Sequence, residues 1–120
     1  SWTETVTAKE LVAAQCNGST ITVRDRQGKL TRTVLCSLPR GKDRKNGVIY
    51  ISRDGGRSWP QHKLIVPAAF AYSALIQLDA ETVGLLYETN HHRDIRFVSL
   101  SLDELLTPAA NDADTDGAKE

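Results

Sequence analysis

Residues Ser52 to Trp59 read Ser-Arg-Asp-Gly-Gly-Arg-Ser-Trp, and the fold turns on how this stretch is read. Asp54 stands where a carboxylate can accept hydrogen bonds from nearby backbone N–H groups, as aspartate does in turns. Gly55 and Gly56 allow the positive φ that a tight connection needs. Trp59 is expected to return on the next strand as a large apolar plug. The apolar run Val48-Ile49-Tyr50-Ile51 leads into this turn, and Asp-Gly between apolar runs is a strong hairpin signal. Ser52, Asp54, Gly56, Ser58 and Trp59 therefore read as a hairpin staple, structural rather than ligand-binding.

Outward from the staple, the pattern is almost all strand. Ser19 to Val23 and Thr31 to Cys36 are rich in β-branched residues and flank the turn-like Asp25-Arg26-Gln27-Gly28. Gly47 to Ser52 enters the staple, and Trp59 to Val66 leaves it. Ser73 to Leu78, Val83 to Tyr87 and Ile95 to Leu100 follow, separated by Asp79-Ala80-Glu81 and by residues 90–94. A short helical turn over Leu102 to Leu106, capped by Ser101, closes the run. Short strands at this spacing fit a sandwich, barrel or propeller.

An internal repeat separates these architectures. Placing Ser1-Trp2 on Ser58-Trp59 also brings Ala14 onto Ala71 and Gln15 onto Tyr72. Ser1-Trp2 thus reads as the end of an earlier copy of the staple. A repeat somewhat longer than the roughly 40 to 50 residues of a four-stranded blade fits a propeller with one enlarged loop. That loop is expected over Leu38 to Asn46, which carries Arg40, Lys42, Arg44 and Lys45. The expectation is an all-β chain of antiparallel four-stranded blades, about two of them, needing an N-terminal portion of the same propeller to close. Residues 1–106 form the propeller part, and the small, polar, acidic stretch 107–120 reads as a flexible tail or linker.

Composition bounds the partners. The chain has 120 residues, a formal net charge of zero and 25% charged residues. No basic excess points to nucleic acid or an anionic membrane. No apolar run approaches the roughly 18 residues that cross a bilayer, and no signal peptide is visible. If the protein is exported, its targeting segment lies outside these residues or has been removed. Cys16 and Cys36 have no metal-ligand spacing; a disulfide and two free thiols both remain open. Asn17-Gly18-Ser19 fits a glycosylation sequon, a triplet common by chance. His91 and His92 are adjacent, so on a strand they would point to opposite faces and make poor joint ligands. They read as solvated loop histidines, and no metal or other cofactor is implied.

The staple fits the Asp-box pattern Ser-x-Asp-x-Gly-x-Thr-Trp, with Ser58 where threonine is usual. The segments around it carry a wider resemblance. Asp43-Arg44-Lys45-Asn46-Gly47 resembles the sialidase segment that supplies the third arginine of an arginine triad. Ala71-Tyr72-Ser73-Ala74-Leu75 resembles the segment with the nucleophilic tyrosine. Val83-Gly84-Leu85-Leu86-Tyr87-Glu88 resembles the next strand, whose glutamate steadies another arginine of the triad. Residues 15–19 and Cys36-Ser37-Leu38-Pro39 look like two further landmarks, with Leu38 where asparagine is often found. Ile95-Arg96-Phe97 and residues 101–105 look like the usual ending. Residues 1–106 together resemble the final third of a bacterial-type sialidase, a six-bladed propeller.

That resemblance implies a retaining exo-α-sialidase, secreted or displayed on a bacterial surface, acting on sialylated glycoconjugates. Sialic acid carries a carboxylate on its anomeric carbon. An arginine fork binds carboxylate bidentately and stays charged at any working pH; this is the role implied for Arg44, with Arg40 the competing candidate. A carboxylate nucleophile would be repelled by the substrate's own carboxylate. A neutral phenol avoids that once a base withdraws its proton, and tyrosine is the established sialidase nucleophile among glycosidases. Tyr72 takes that role, whereas Tyr50 and Tyr87 read as core tyrosines. Glu88, at the end of an apolar strand, would be costly to bury alone; pairing with an arginine resolves the cost. Two triad arginines, the aspartate acid/base and the glutamate that activates the tyrosine are implied to lie upstream. The chain alone is accordingly expected to be inactive, unless a second chain travels with it as in a nicked enzyme. Transfer to another sugar would use the same residues as hydrolysis. The alternative is a non-catalytic Asp-box propeller module that binds carbohydrate or protein, in which Arg44 and Tyr72 need not share a pocket.

Overall fold

A computed structural model describes residues 4, 7–14, 16–89 and 94–107. Seven strands and one helix follow one another: β1 (Ser19–Arg24), β2 (Leu30–Pro39), β3 (Lys45–Ser52), β4 (Gln61–Ala69), β5 (Ser73–Asp79), β6 (Thr82–Thr89), β7 (Asp94–Ser101) and α1 (Leu102–Leu106). They form a four-stranded sheet in the order β1-β2-β3-β4 and a three-stranded sheet in the order β5-β6-β7. All neighbours are antiparallel. The described residues are all-β but for one helical turn, as the strand-rich sequence led one to expect.

Strand alternation decides what each sheet buries. In the first sheet Val23, Leu35, Ile49 and Ile51 face the second sheet and meet Leu75, Val83 and Leu85 in one core. Each such side chain, fully buried, contributes roughly 1.5–3 kcal/mol of hydrophobic stabilisation. The opposite face of the first sheet carries Val34, Cys36, Val48, Tyr50 and Trp59, with Leu11 and Leu64 packed against them. β2 and β3 are thus buried on both faces, which is why their apolar runs are nearly continuous. Tyr50 donates from its hydroxyl to the Val12 carbonyl at 2.6 Å, the satisfied core tyrosine expected there.

The staple closes as its residue types suggest. Asp54 Oδ1 accepts from the backbone N–H groups of Arg57 (3.1 Å) and Ser58 (2.9 Å) and from Ser52 Oγ (2.7 Å). Its Oδ2 accepts from Ser58 Oγ at 2.6 Å. Ser52 Oγ in turn accepts from Gly56 N at 2.8 Å. Gly55 and Gly56 adopt φ of 75° and 93°. Trp59 is buried and donates from Nε1 to the Gly56 carbonyl at 3.1 Å. It precedes the strand rather than lying on it: β4 starts at Gln61, because Trp59 and Pro60 are used to finish the turn.

The enlarged loop is smaller than expected. β2 runs through Pro39 and β3 begins at Lys45, leaving residues 40–44 as the connection. Arg40 N donates to Asn46 O at 3.0 Å across its neck, and Asn46 takes a left-handed φ of 58°. Both cysteines are free. Cys16 precedes β1, so the two thiols do not sit on neighbouring strands of one hairpin. Residues 1–3, and with them the earlier copy of the staple, lie outside the described residues, as do Gln15, His91, His92 and residues 108–120.

Two ties join the sheets at opposite ends of the inner strands. At one end Ser37 Oγ and Ser73 Oγ lie 2.7 Å apart, and Leu75 N donates to Ser19 Oγ at 2.9 Å. At the other, the Gln77 amide accepts from Arg24 N (2.7 Å) and donates to Arg24 O (2.9 Å), occupying a backbone position in place of a strand. The helix closes the core with Leu102 and Leu105. Ser101 caps it by accepting from Glu104 N at 3.3 Å. Lys63 Nζ donates to the carbonyls of Glu104 (2.6 Å) and Thr107 (2.7 Å), and Arg53 to that of Leu106. Cations at a helix C-terminus also suit the helix dipole.

Candidate active site

Tyr72 lies in the three-residue link between β4 and β5, at the same end of the seam as Ser37 and Ser73. Backbone hydrogen bonds hold this link on both sides. Phe70 N donates to Arg44 O, Ala71 N to Glu88 O, and Glu88 N to Tyr72 O, each at 3.0 Å. One short segment therefore gathers the loop that carries Arg44 and the strand that carries Glu88. The Tyr72 side chain is 43% exposed. The guanidinium carbon of Arg44 lies 5.2 Å from the centroid of its ring, within the range of a cation–π contact.

Arg40, the competing arginine, points elsewhere. It is half-buried, and its guanidinium lies against the ring of His62 on β4. His62 is itself tilted against Tyr50, with ring centroids 5.5 Å apart. Of the two loop arginines, Arg44 is the one beside Tyr72. Glu88 is the penultimate residue of β6 and shares the outward face of its sheet with Gly84 and Leu86. It is half-buried rather than a strand-end group in solvent.

Three neighbours of this cluster carry no role in the sequence reading. Phe70 is buried, stacked on Tyr87 (5.1 Å between centroids, 23° between planes), and its ring lies over Gly47, where any Cβ would collide with it. Cys16 lies in the electrostatic reach of both Arg44 and Glu88. Burial is the main effect on its thiol and pushes its pKa up, with Arg44 drawing it down and Glu88 raising it. Ser37, fully buried, completes the set. The repeat holds a signal for one of them: the shift that brings Gln15 onto Tyr72 also brings Cys16, which precedes β1, onto Ser73, which opens β5.

An exposed guanidinium beside an exposed phenol, with a carboxylate on the adjoining strand, is suited to an anionic ligand. The fork supplies bidentate donors, and the aromatic face supplies an apolar wall. Among the described residues, no group of three or more His, Cys, Asp or Glu side chains is placed to hold a metal ion.

No family model matches the chain. A sialidase of Bacteroides fragilis is 38% identical to it over 96 residues, 75% of this chain and 18% of that protein. A sialidase of Micromonospora viridifaciens is 39% identical over 59 residues, 49% of this chain and 9% of that one. Among solved structures, the Hadza microbial sialidase Hz136 superposes with a TM-score of 0.64 at 33% identity, over 76% of this chain and 18% of that one. The intramolecular trans-sialidase of Ruminococcus gnavus, in complex with oseltamivir carboxylate, superposes with a TM-score of 0.68 over 90% of this chain and 27% of its own. At 24% identity this second likeness speaks for the fold alone.

By sequence and by fold, this all-β chain of antiparallel meanders is related to the sialidases. More narrowly, its kinship is with the bacterial-type sialidases, of which it spans about a fifth of the length or less.

Proposed function

We propose that the chain is the C-terminal part of a retaining exo-α-sialidase, the last blades of a six-bladed Asp-box propeller. In this reading Tyr72 is the nucleophile and Arg44 binds the substrate carboxylate. Glu88 steadies another arginine of the triad. The Arg44 guanidinium over the Tyr72 ring carries the reading: it gathers the anion-binding group and the phenol at one place. The resemblance assigns two further arginines, an aspartate acid/base and a glutamate base to an N-terminal portion of the same propeller. The outward face of β5-β6-β7 suits that partner. Ile76, Leu78, Leu86, Ile95 and Phe97 are all exposed there, and contiguous apolar patches mark surfaces meant to be covered.

The chemistry follows from these groups. The glutamate base takes the phenolic proton as Tyr72 Oη forms a bond to the anomeric carbon. The glycosidic C–O bond breaks, and the aspartate protonates the departing sugar oxygen. Water then attacks the same carbon, giving a proton to the aspartate as the C–O bond to Tyr72 breaks and the glutamate returns its proton to the phenolate, releasing sialic acid with retained configuration. Arg44 neutralises the substrate carboxylate throughout, so the phenolate meets no bare negative charge. Residues 107–120 serve as a tail or linker. The substrate class, terminal sialosides, places the protein outside the bacterial cell or on its surface. With a fluorogenic sialoside, the 120-residue chain alone is expected to release no fluorophore. The chain joined to the preceding portion of its propeller is expected to turn over; hydrolysis by the isolated chain would overturn the division of groups.

A further inference from the structure

A nucleophile must be held as well as activated, because small displacements of a reacting atom cost large factors in rate. Tyr72 is not on a strand, so the pleat does not hold it. Its carbonyl is tied to Glu88 N, and the next residue, Ser73, begins β5. Ser73 Oγ lies 2.7 Å from Ser37 Oγ and donates more weakly to Ser37 O at 3.4 Å. Ser37 is fully buried on β2, paired in register with Ser19 on one side and Ile49 on the other. A fully buried hydroxyl beside the apolar Leu35 and Pro39 is costly unless it is bonded. Leu35, two residues earlier on the same face, is purely apolar. The fully buried hydroxyl falls where the second sheet presents Tyr72.

We propose that Ser37 is a positioning residue for Tyr72: its bond to Ser73 fixes the backbone from which the phenol is presented. This rests on the reading of Tyr72 as nucleophile. The Gln77–Arg24 tie at the far end of the same seam joins the sheets equally well but holds nothing near the phenol, which makes it the natural control.

The test uses four variants of the completed propeller protein. Ser37→Ala removes the 2.7 Å bond to the Ser73 hydroxyl, leaves it only the 3.4 Å bond to the Ser37 carbonyl, and lowers stability. It also lowers kcat by about ten- to a hundredfold, with KM within about threefold. S37A/S73A removes both hydroxyls, so no buried polar group is stranded and Tm recovers toward the parent value. Its kcat stays low, because the Ser37–Ser73 bond next to Tyr72 is still missing. Gln77→Ala lowers Tm but leaves kcat within about twofold of the parent, in line with its distance from the chemistry. In S37A/S73A the Glu88 amide, which donates to Tyr72 O, exchanges faster, whereas the Val83 and Leu85 amides do not. Parent-level kcat in S37A/S73A beside an inactive Tyr72→Phe sinks the positioning role alone. Equal losses of kcat in S37A and Q77A at matched stability sink it too. Parent-level turnover in Tyr72→Phe instead overturns the nucleophile reading on which the proposal stands.

Discussion

The Arg44 guanidinium carbon lies 5.2 Å from the centre of the Tyr72 ring, although the two residues belong to different connections, one within the first sheet and one between the sheets. The contact is built by backbone. Arg44 O accepts from Phe70 N, two residues before Tyr72, so the loop after β2 and the link before β5 are one hydrogen-bonded unit. The arrangement places a fixed positive charge beside a phenol.

Replacing Arg44 tests the carboxylate-binding role. In the completed protein, Arg44→Ala is expected to lower kcat/KM for a sialoside by about ten- to a hundredfold, the weight of a charge-assisted hydrogen bond. Arg44→Lys recovers part of this and no more, since a point charge cannot reproduce the planar fork. Steady-state kinetics on both variants decides it; an unchanged kcat/KM in Arg44→Ala would contradict the role.

The staple makes stability depend on acid. Hydrogen bonds from the Ser58 hydroxyl, then its backbone N–H, then the Ser52 hydroxyl hold the Asp54 carboxyl well below the usual carboxylate range. An acid whose pKa is lowered by folding gives stability that is fully present above its unfolded value, about 3.9. That stability is lost as pH falls toward the folded value. Thermal midpoints are therefore expected to drop below about pH 4 in the parent protein. Asp54→Asn is expected to start lower at neutral pH and to fall less steeply. Parallel Tm–pH curves for the two would contradict the assignment.

Gly47 is where the loop and the core meet. A Cβ there would fall on the Phe70 ring, which is itself stacked on Tyr87. Gly47→Ala is expected to cost roughly 1–3 kcal/mol, the usual range for overpacking. Because Phe70 N also anchors Arg44 O, activity should fall further than stability alone accounts for. Denaturant midpoints with activity measured on the folded fraction separate the two effects.

How much of this is legible in the residues varies with the physics. The strands are, because β-branched runs between turn residues leave little choice, and so is the helix at Leu102–Leu106 with its Ser101 cap. The staple can be read atom by atom, since each of its residues is there for a local hydrogen bond or a positive φ. The loop expected over residues 38–46 from the length of the repeat is shorter, because Pro39 pairs with Gly47 and Lys45 with Ala69. Backbone hydrogen bonding extends both strands into the expected loop. Trp59 falls in the turn rather than on the next strand for a similar reason, its ring being held by the turn it closes.

At the candidate site, Arg44, Tyr72 and Glu88 come from resemblance, and the structure adds their proximity. Ser37 and Cys16 lie in segments that resemble sialidase landmarks but carry no role there, and Phe70 has no signal at all. A serine in a strand looks alike whether it faces its own sheet or a neighbouring one, and a phenylalanine in a link looks alike whatever it covers. The meeting of the two sheets puts Ser37 against Ser73, and the pairing of β3 with β4 puts Phe70 over Gly47.

The most direct test of the account is the rate of sialoside hydrolysis by the completed propeller, measured on the parent protein and on its Tyr72→Phe variant. The substitution keeps the ring that faces Arg44 and removes only the oxygen that would attack. The account expects turnover to fall by about a thousandfold or more, the scale for removing a covalent catalyst, while the protein stays folded and still binds free sialic acid. Hydrolysis by Tyr72→Phe at the parent rate would contradict it.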